Sequence, residues 1–321
     1  MIILYELHWS HYCEKIRWAL DYKNLNWKKI SINAFTKKEM KQYACTQSRH
    51  LVPLIFDEKT KIAISDSSSI LKYLEETYPD SPSLFLNEKN NLIYQYLIEL
   101  DSKLGVLARR LGYTQLILEK PTILAKLFLS NIWKGFFNLP LICRFSSMFL
   151  AIILIKRFRL ELNEELNLYE ELEIYLIEIA EKLKLNQFLI NNTFSAVDLT
   201  LAVYLRPLII VPFFRDHPEL RELFLWQKNL LVEYKRDEKL LYEVLIEENR
   251  KKYHPVRRKI KKNIKLHGFL ENVGMTIDKT LAAFNDHESI WTWGILKVPY
   301  YYFFKIRQNK LREKFPSEKV R

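Results

Sequence analysis

The spacing of apolar positions changes along the chain. Residues 2–7 (IILYEL) form an apolar and aromatic run of strand length. From His11 to Tyr22 the period lengthens. Ile16, Trp18, Ala19 and Leu20 fall at helical spacing, which turns Glu14, Lys15 and Arg17 outward. A strand is predicted over Trp27–Ile32 and a short polar helix over Lys37–Ala44. Two further strands follow, over Val52–Phe56 and Lys61–Ile64, with the charged Asp57-Glu58-Lys59-Thr60 as the turn between them. Asp66 and Ser67 are good N-cap residues for a helix that buries Ile70, Leu71, Tyr73 and Leu74. Pro79 and Pro82 mark a linker.

Strand signals then stop. Residues 92–111, 120–138, 161–186, 195–211, 218–234 and 238–253 read as helices of mixed amphipathic periodicity. Leu166, Tyr169, Leu172, Leu176, Ile179 and Leu183 make one apolar stripe among Glu and Lys residues. The expected fold class is α/β plus all-α. A thioredoxin-like βαβ-ββα domain (1–82) precedes a helical-bundle domain (88–250) and a basic, aromatic-rich helical extension (251–321). The stretch 145–155 (FSSMFLAIILI) is about eleven residues long, whereas a spanning helix needs roughly 20. It reads as a buried helix, with an interfacial helix as the alternative.

With 321 residues, 49% apolar and 27% charged, the chain is long enough for two domains and is not a disordered polymer. Three cysteines, Cys13, Cys45 and Cys143, do not make a disulfide framework, and the N-terminus lacks the layout of a signal peptide. A reducing, cytoplasmic location is expected, with peripheral membrane contact as an addition. The net charge of +12 is concentrated: residues 251–321 hold 17 Lys/Arg against 6 Asp/Glu, a net +11. Such a tail suits an acidic surface or is simply a solvated helical face. No nucleic-acid module surrounds Arg257-Arg258-Lys259-Ile260-Lys261-Lys262, so nucleic acid is not the expected partner. Trp291, Trp293 and Tyr300 to Phe304 form an aromatic cluster read as cover for the helical domain or as a membrane belt. His8, His11 and His50 do not have metal-ligand spacing, and no metal is expected.

The candidate chemistry starts at Ser10-His11-Tyr12-Cys13, directly after the first strand and at the opening of the first helix. A helix N-terminus presents unpaired N–H groups and a partial positive charge, which stabilise a thiolate. Ser10 can donate a hydrogen bond to a bound thiolate, or act as a plain N-cap. Cys13 can be a nucleophile, or a small buried residue. Tyr12 is a spare candidate, while Tyr5 reads as packing.

Ser10-x-x-Cys13 followed by Lys15-Ile16-Arg17-Trp18-Ala19-Leu20 resembles the S-P-Y-C-x-K-V-R-x-A-L segment of glutathione transferases, with His11 in place of proline. Leu51-Val52-Pro53-Leu54-Ile55 is similar to that family's V-P-x-L segment, whose proline is cis. Asp66-Ser67-Ser68-Ser69-Ile70 is similar to its E/D-S-x-A-I motif. Phe188 to Thr200 resembles F-L-x-G-x-x-x-T-x-A-D-L-T, with Ser195 and Asp198 as a structural capping box and Asn192 near the customary glycine. The likeness covers 1–82 and 160–235, and leaves 110–160 and 251–321 unexplained.

The resemblance implies a cytosolic-type glutathione S-transferase, a homodimer using glutathione as cosubstrate. Val52 with Pro53 would pair with its cysteinyl backbone, and Asp66 and Ser67 would hold its γ-glutamyl end. His50, with Arg49 as a rival, would approach the glycine carboxylate. Ser10 would activate the thiol for attack on an electrophile that the sequence does not identify. The alternatives are a thiol-transferase acting through Cys13, and a non-catalytic relative that binds a partner or membrane through its basic extension.

Overall fold

The computed structural model describes residues 1–46, 51–86, 90–119, 165–190 and 192–240, together with isolated helical positions between 123 and 158 and at 243–244. Four strands, β1 (Ile2–Glu6), β2 (Trp27–Ser31), β3 (Leu54–Asp57) and β4 (Ile62–Ser65), form one sheet in the order β2-β1-β3-β4. β2 pairs parallel to β1, and β3 pairs antiparallel to both β1 and β4. Helices α1 (His11–Tyr22) and α2 (Ser67–Thr77) complete the expected βαβ-ββα order.

Every residue of β1 is buried, Glu6 included, which explains the apolar run from Ile2 to Tyr5: a strand covered on both faces has no polar alternation. On one face Ile3, Tyr5 and Leu54 pack with Ile32 and Met40, the last from a 3-10 stretch, Lys38–Thr46, where a short helix was predicted. The other face meets the helices. The predicted turn at residues 57–60 is organised by Asp57. Its carboxylate accepts from Tyr73 Oη at 2.8 Å, Tyr78 Oη at 2.6 Å and the Lys59 amide at 2.8 Å.

The first helix corrects the sequence expectation. Glu14, Lys15 and Arg17 are buried along with the apolar residues of α1, because α1 lies between the sheet and a fully buried helix, α6 (below). Each charge has a partner. Arg17 pairs with Glu6 of β1 and with Glu14 at 2.5 Å; Glu14 also meets Arg206 at 3.4 Å; Lys15 meets Asp101 at 3.2 Å. Buried charges persist only when so paired.

Beyond the linker, α3 (Asn90–Glu99) runs through a π-helical segment, Leu100–Gly105, into α4 (Val106–Glu119). Helix α5 (Glu165–Leu185) buries Tyr169, Leu172, Leu176 and Ile179 of the predicted stripe. Helix α6 (Ala196–Leu205) is buried along its whole length. It begins with the expected capping box: Asp198 accepts from the Ser195 amide at 3.0 Å and the Ser195 hydroxyl at 2.8 Å, and from the Leu189 amide at 2.8 Å. Burial raises the Asp198 carboxyl to about 6. Asn192 turns the chain before it with φ 53°, the left-handed conformation that Asn tolerates. A 3-10 turn (Arg206–Ile210), the short α7 (Pro212–Arg215) and α8 (Arg221–Glu233) follow.

The chain divides into two compact units, residues 1–112 with 170–240, and 113–169 with 241–321. The sheet and the helices over 90–112 and 170–240 thus share one unit. In the second, Ile123, Leu127, Leu150 and Leu154 are buried, and the Tyr113 ring packs against Phe128 and Phe158. The extension 251–321, with its basic run and aromatic cluster, lies outside the described residues; within 145–155 the described positions are helical, with Ser147, Leu150, Ala151 and Leu154 buried. Among the described residues no helix is long and apolar enough to cross a membrane.

Candidate functional site

Sheet register gathers residues that are far apart in sequence. Tyr5 of β1 faces Leu54 of β3, and Leu54 faces Ser65 of β4. The exit of β1, the entry of β3 and the exit of β4 therefore meet at one end of the sheet. Ser10, Val52, Pro53, Asp66 and Ser67 all lie within a few residues of that end.

Ser10 is the N-cap of α1. Its carbonyl accepts from the Cys13 amide at 3.0 Å and the Glu14 amide at 2.9 Å, while its side chain makes no capping bond to the helix. The hydroxyl is thus not consumed by the role that a plain N-cap would give it. Cys13 lies one turn in and has no exposed surface. Burial pushes its thiol up to about 12, against a hydrogen bond from Ser10. At neutral pH it remains a thiol, which is not the nucleophilic form. The structure makes it a core residue.

Val52 precedes Pro53 through a cis peptide bond. Val52 is half-buried, and its backbone lies outside the β1–β3 ladder, which begins at Leu54. Asp66 caps α2, accepting from the Ser69 amide at 3.0 Å and the Ser69 hydroxyl at 2.9 Å. It does so at φ 80°, ψ 124°, a sparsely populated conformation for a residue with a Cβ, of the kind that costs on the order of 1–3 kcal/mol and clusters at functional sites. Asp66 is exposed, and Ser67 beside it is buried. An exposed carboxylate and a hydroxyl at a helix N-terminus can hold an ammonium and a carboxylate side by side.

Sequence reading missed what stands behind Ser67. Lys15, fully buried, donates to Ser68 Oγ at 2.8 Å and to Asp101 Oδ1 at 3.2 Å. Ser68 donates to Asp101 Oδ2 at 2.5 Å, and Tyr204 donates to Asp101 Oδ1 at 2.5 Å. The Tyr204 hydroxyl is 3.5 Å from Ser67 Oγ. Asp101 lies in the π-helical segment and Tyr204 in α6. Their trace in the sequence was only indirect, in Lys15 beside Glu14 and Arg17 on the first helix.

Of the other candidates, the Tyr5 hydroxyl is engaged by Tyr43 at 3.2 Å, as befits packing. Tyr12 packs its ring against His11 and Tyr204. His11 donates from Nε2 to the Gly105 carbonyl at 3.1 Å. Burial, with Arg109 nearby, lowers its imidazole to about 3. Arg49 and His50 lie outside the described residues. Among the described residues no group of three or more His, Cys, Asp or Glu is arranged to hold a metal.

The sequence model for the glutathione S-transferase N-terminal domain matches residues 4–82. No curated protein sequence matches the chain. Among solved structures, the fold is similar to a glutathione S-transferase of Ceriporiopsis subvermispora in complex with glutathione, at 19% identity and TM-score 0.51, over 74% of this chain and 98% of that one. It is also similar to the beta-etherase LigF of Sphingobium sp. strain SYK-6, at 14% identity and TM-score 0.53, over 77% and 99%. Glutathione transferase Omega 3C of Trametes versicolor matches at 14% identity and TM-score 0.50, over 74% and 89%. Residues 4–82 thus match the N-terminal domain of glutathione S-transferases, on a fold similar to that of solved glutathione transferases.

Proposed function

We propose that this chain is a glutathione transferase that binds glutathione at the sheet end described above and activates its thiol. One observation carries the reading: sheet register brings a hydroxyl that makes no capping bond (Ser10), a backbone edge outside the ladder (Val52) and the N-terminus of α2 with Asp66 and Ser67 to one place. An extended tripeptide would pair its cysteinyl backbone with Val52. Its γ-glutamyl ammonium would meet Asp66 and its α-carboxylate Ser67. Ser10 would then donate to the sulfur. A hydrogen bond to the anionic form lowers a thiol pKa, and moving it from around 9 toward roughly 6–7 makes thiolate abundant at neutral pH. The sulfur attacks an electrophilic carbon, the S–C bond forms, and the leaving group departs with its electron pair while the thiol proton goes to solvent. The C. subvermispora structure holding glutathione supports the same ligand here.

Calorimetric titration with reduced glutathione tests this. Wild type should bind in the micromolar to millimolar range, and the Asp66→Ala, Ser67→Ala double variant should not. A folded wild type that ignores glutathione would sink the reading. We infer a cytoplasmic homodimer, as the resemblance implies. The exposed Ile98 of α3 and Ile174 of α5 are apolar surface available for such an interface, and light scattering that gives a monomer mass would reject it. The net +11 of residues 251–321 favours an added contact with an acidic surface. Salt-reversible pelleting with anionic vesicles is the expected result, and its absence would remove that contact.

A further inference from the structure

Residues 28–41 carry five lysines (28, 29, 37, 38 and 41) against one acid, Glu39, a net +4. The Glu39 carboxylate is engaged by the Asn33 amide at 3.1 Å. Lys28, Lys29, Lys38 and Lys41 are exposed and make no ion pair among the described residues. Lys28 pairs with Ile3 in the β1–β2 register, and paired residues present their side chains to the same side of a sheet. Ile3 packs with Ile32 and Met40, so Lys28 stands on the side covered by the segment that carries Lys38 and Lys41. Lysines on an edge strand deter sheet pairing, but Lys38 and Lys41 lie on no strand.

The loop between Ile32 and Met40 is anchored at both ends, where these two side chains are 2% and 0% exposed. Between them Asn33 organises a tight turn. Its Oδ1 accepts from the Phe35 amide at 2.9 Å and the Thr36 amide at 3.0 Å, and its carbonyl accepts from the Lys37 amide at 2.9 Å. The turn leaves Phe35 44% exposed. An aromatic ring at a fixed turn among lysines suits a membrane interface: the ring enters the headgroup layer while the ammonium groups stay at the phosphates. A single-stranded nucleic acid is bound instead by a groove that tracks the backbone, with several rings for successive bases.

We propose that this face, Phe35 with Lys28, Lys38 and Lys41, docks the chain on an anionic lipid surface, with Phe35 seated among the headgroups. The contact is separate from the one assigned to residues 251–321, and it stands whether or not glutathione binds at the sheet end.

The test is flotation of the full chain with phosphatidylcholine vesicles, with and without phosphatidylglycerol, with thermal melting as the check on folding. Wild type should float with the anionic vesicles alone and be released by salt. Each lysine near the surface contributes about five-fold to the partition, so the Lys28→Gln, Lys38→Gln, Lys41→Gln triple variant should weaken it about a hundred-fold. Phe35→Ser should weaken it about ten-fold. Phe35→Trp should keep the partition and add emission that brominated lipid quenches. All these variants retain 251–321, so a partition unchanged by the triple variant and by Phe35→Ser would overturn the proposal and assign vesicle binding to that extension. Wild type that ignores anionic vesicles, or a tryptophan at position 35 that brominated lipid leaves unquenched, would overturn it as well. Lysine-dependent binding to an oligouridylate in the absence of vesicle binding would make the face a nucleic-acid site and overturn the lipid assignment.

Discussion

Acidification should destabilise this fold through His11, and the size of the effect follows from where the ring sits. The imidazole is 4% exposed, bonded to the Gly105 carbonyl and packed against Tyr12 and Tyr204. It titrates at about 3 in the folded chain and near 6.5 when unfolded. The unfolded chain therefore binds a proton first, and stability present above pH 6.5 is lost as the pH falls toward 3. At about 1.36 kcal/mol for each pKa unit, the full span costs about 5 kcal/mol, of which about 2 kcal/mol is gone by pH 5. The assay is urea denaturation followed by tryptophan fluorescence from pH 7.5 to 5, comparing wild type with His11→Gln. Glutamine keeps an N–H for Gly105 and does not titrate, so carboxylates common to both chains cancel in the difference. The stability advantage of wild type over the variant should shrink by about 2 kcal/mol across that range. A difference that stays flat would refute the assignment of His11 as a buried neutral ring.

Three further outcomes are expected. Ser10→Ala should lower the rate of glutathione conjugation to an aryl halide about ten- to a hundred-fold while leaving the glutathione dissociation constant near wild type, since only the thiolate loses a donor; stopped-flow absorbance of the conjugate and calorimetry separate the two. Cys13→Ala should leave that rate unchanged, because the thiol is buried and protonated, and lost turnover would restore Cys13 as the nucleophile. Gly105→Ala places a Cβ 2.7 Å from the Tyr204 ring and 3.0 Å from the Tyr12 hydroxyl; thermal melting should show a loss of about 1–3 kcal/mol, and an unchanged midpoint would mean the two rings move aside freely.

The alternation of strand and helix was legible because each element carries its own period, and β1 announced its two-sided burial by having no polar residue until Glu6. Charges on α1 were misread for the opposite reason. Periodicity assigns Glu14, Lys15 and Arg17 to water, and only partners as distant as Arg206 and Asp101 make their burial tolerable. The π-helical segment at 100–105 was invisible because a π turn uses the same residues as an α turn. Ser10, Val52, Asp66 and Ser67 were found through motif resemblance, whereas their adjacency comes from sheet register, which no local pattern encodes. Tyr204 and Asp101 could not be found at all, since neither lies in a motif that binds anything by itself.

That π turn gives the long first helix of the helical region a particular vulnerability. An α-helix advances about 100° per residue, so the wider turn resets the angular phase between α3 and α4. Removing one residue between Leu100 and Gly105 would let the segment relax into continuous α-helix. It would swing either Asp101 or the Gly105 carbonyl away from its partner by about that angle, severing Lys15 and Tyr204 or else His11. Point substitutions can only trim this junction, while a change in chain length re-aims it. Divergence here is therefore expected to proceed by insertion and deletion, with α1 and α6 changing in step.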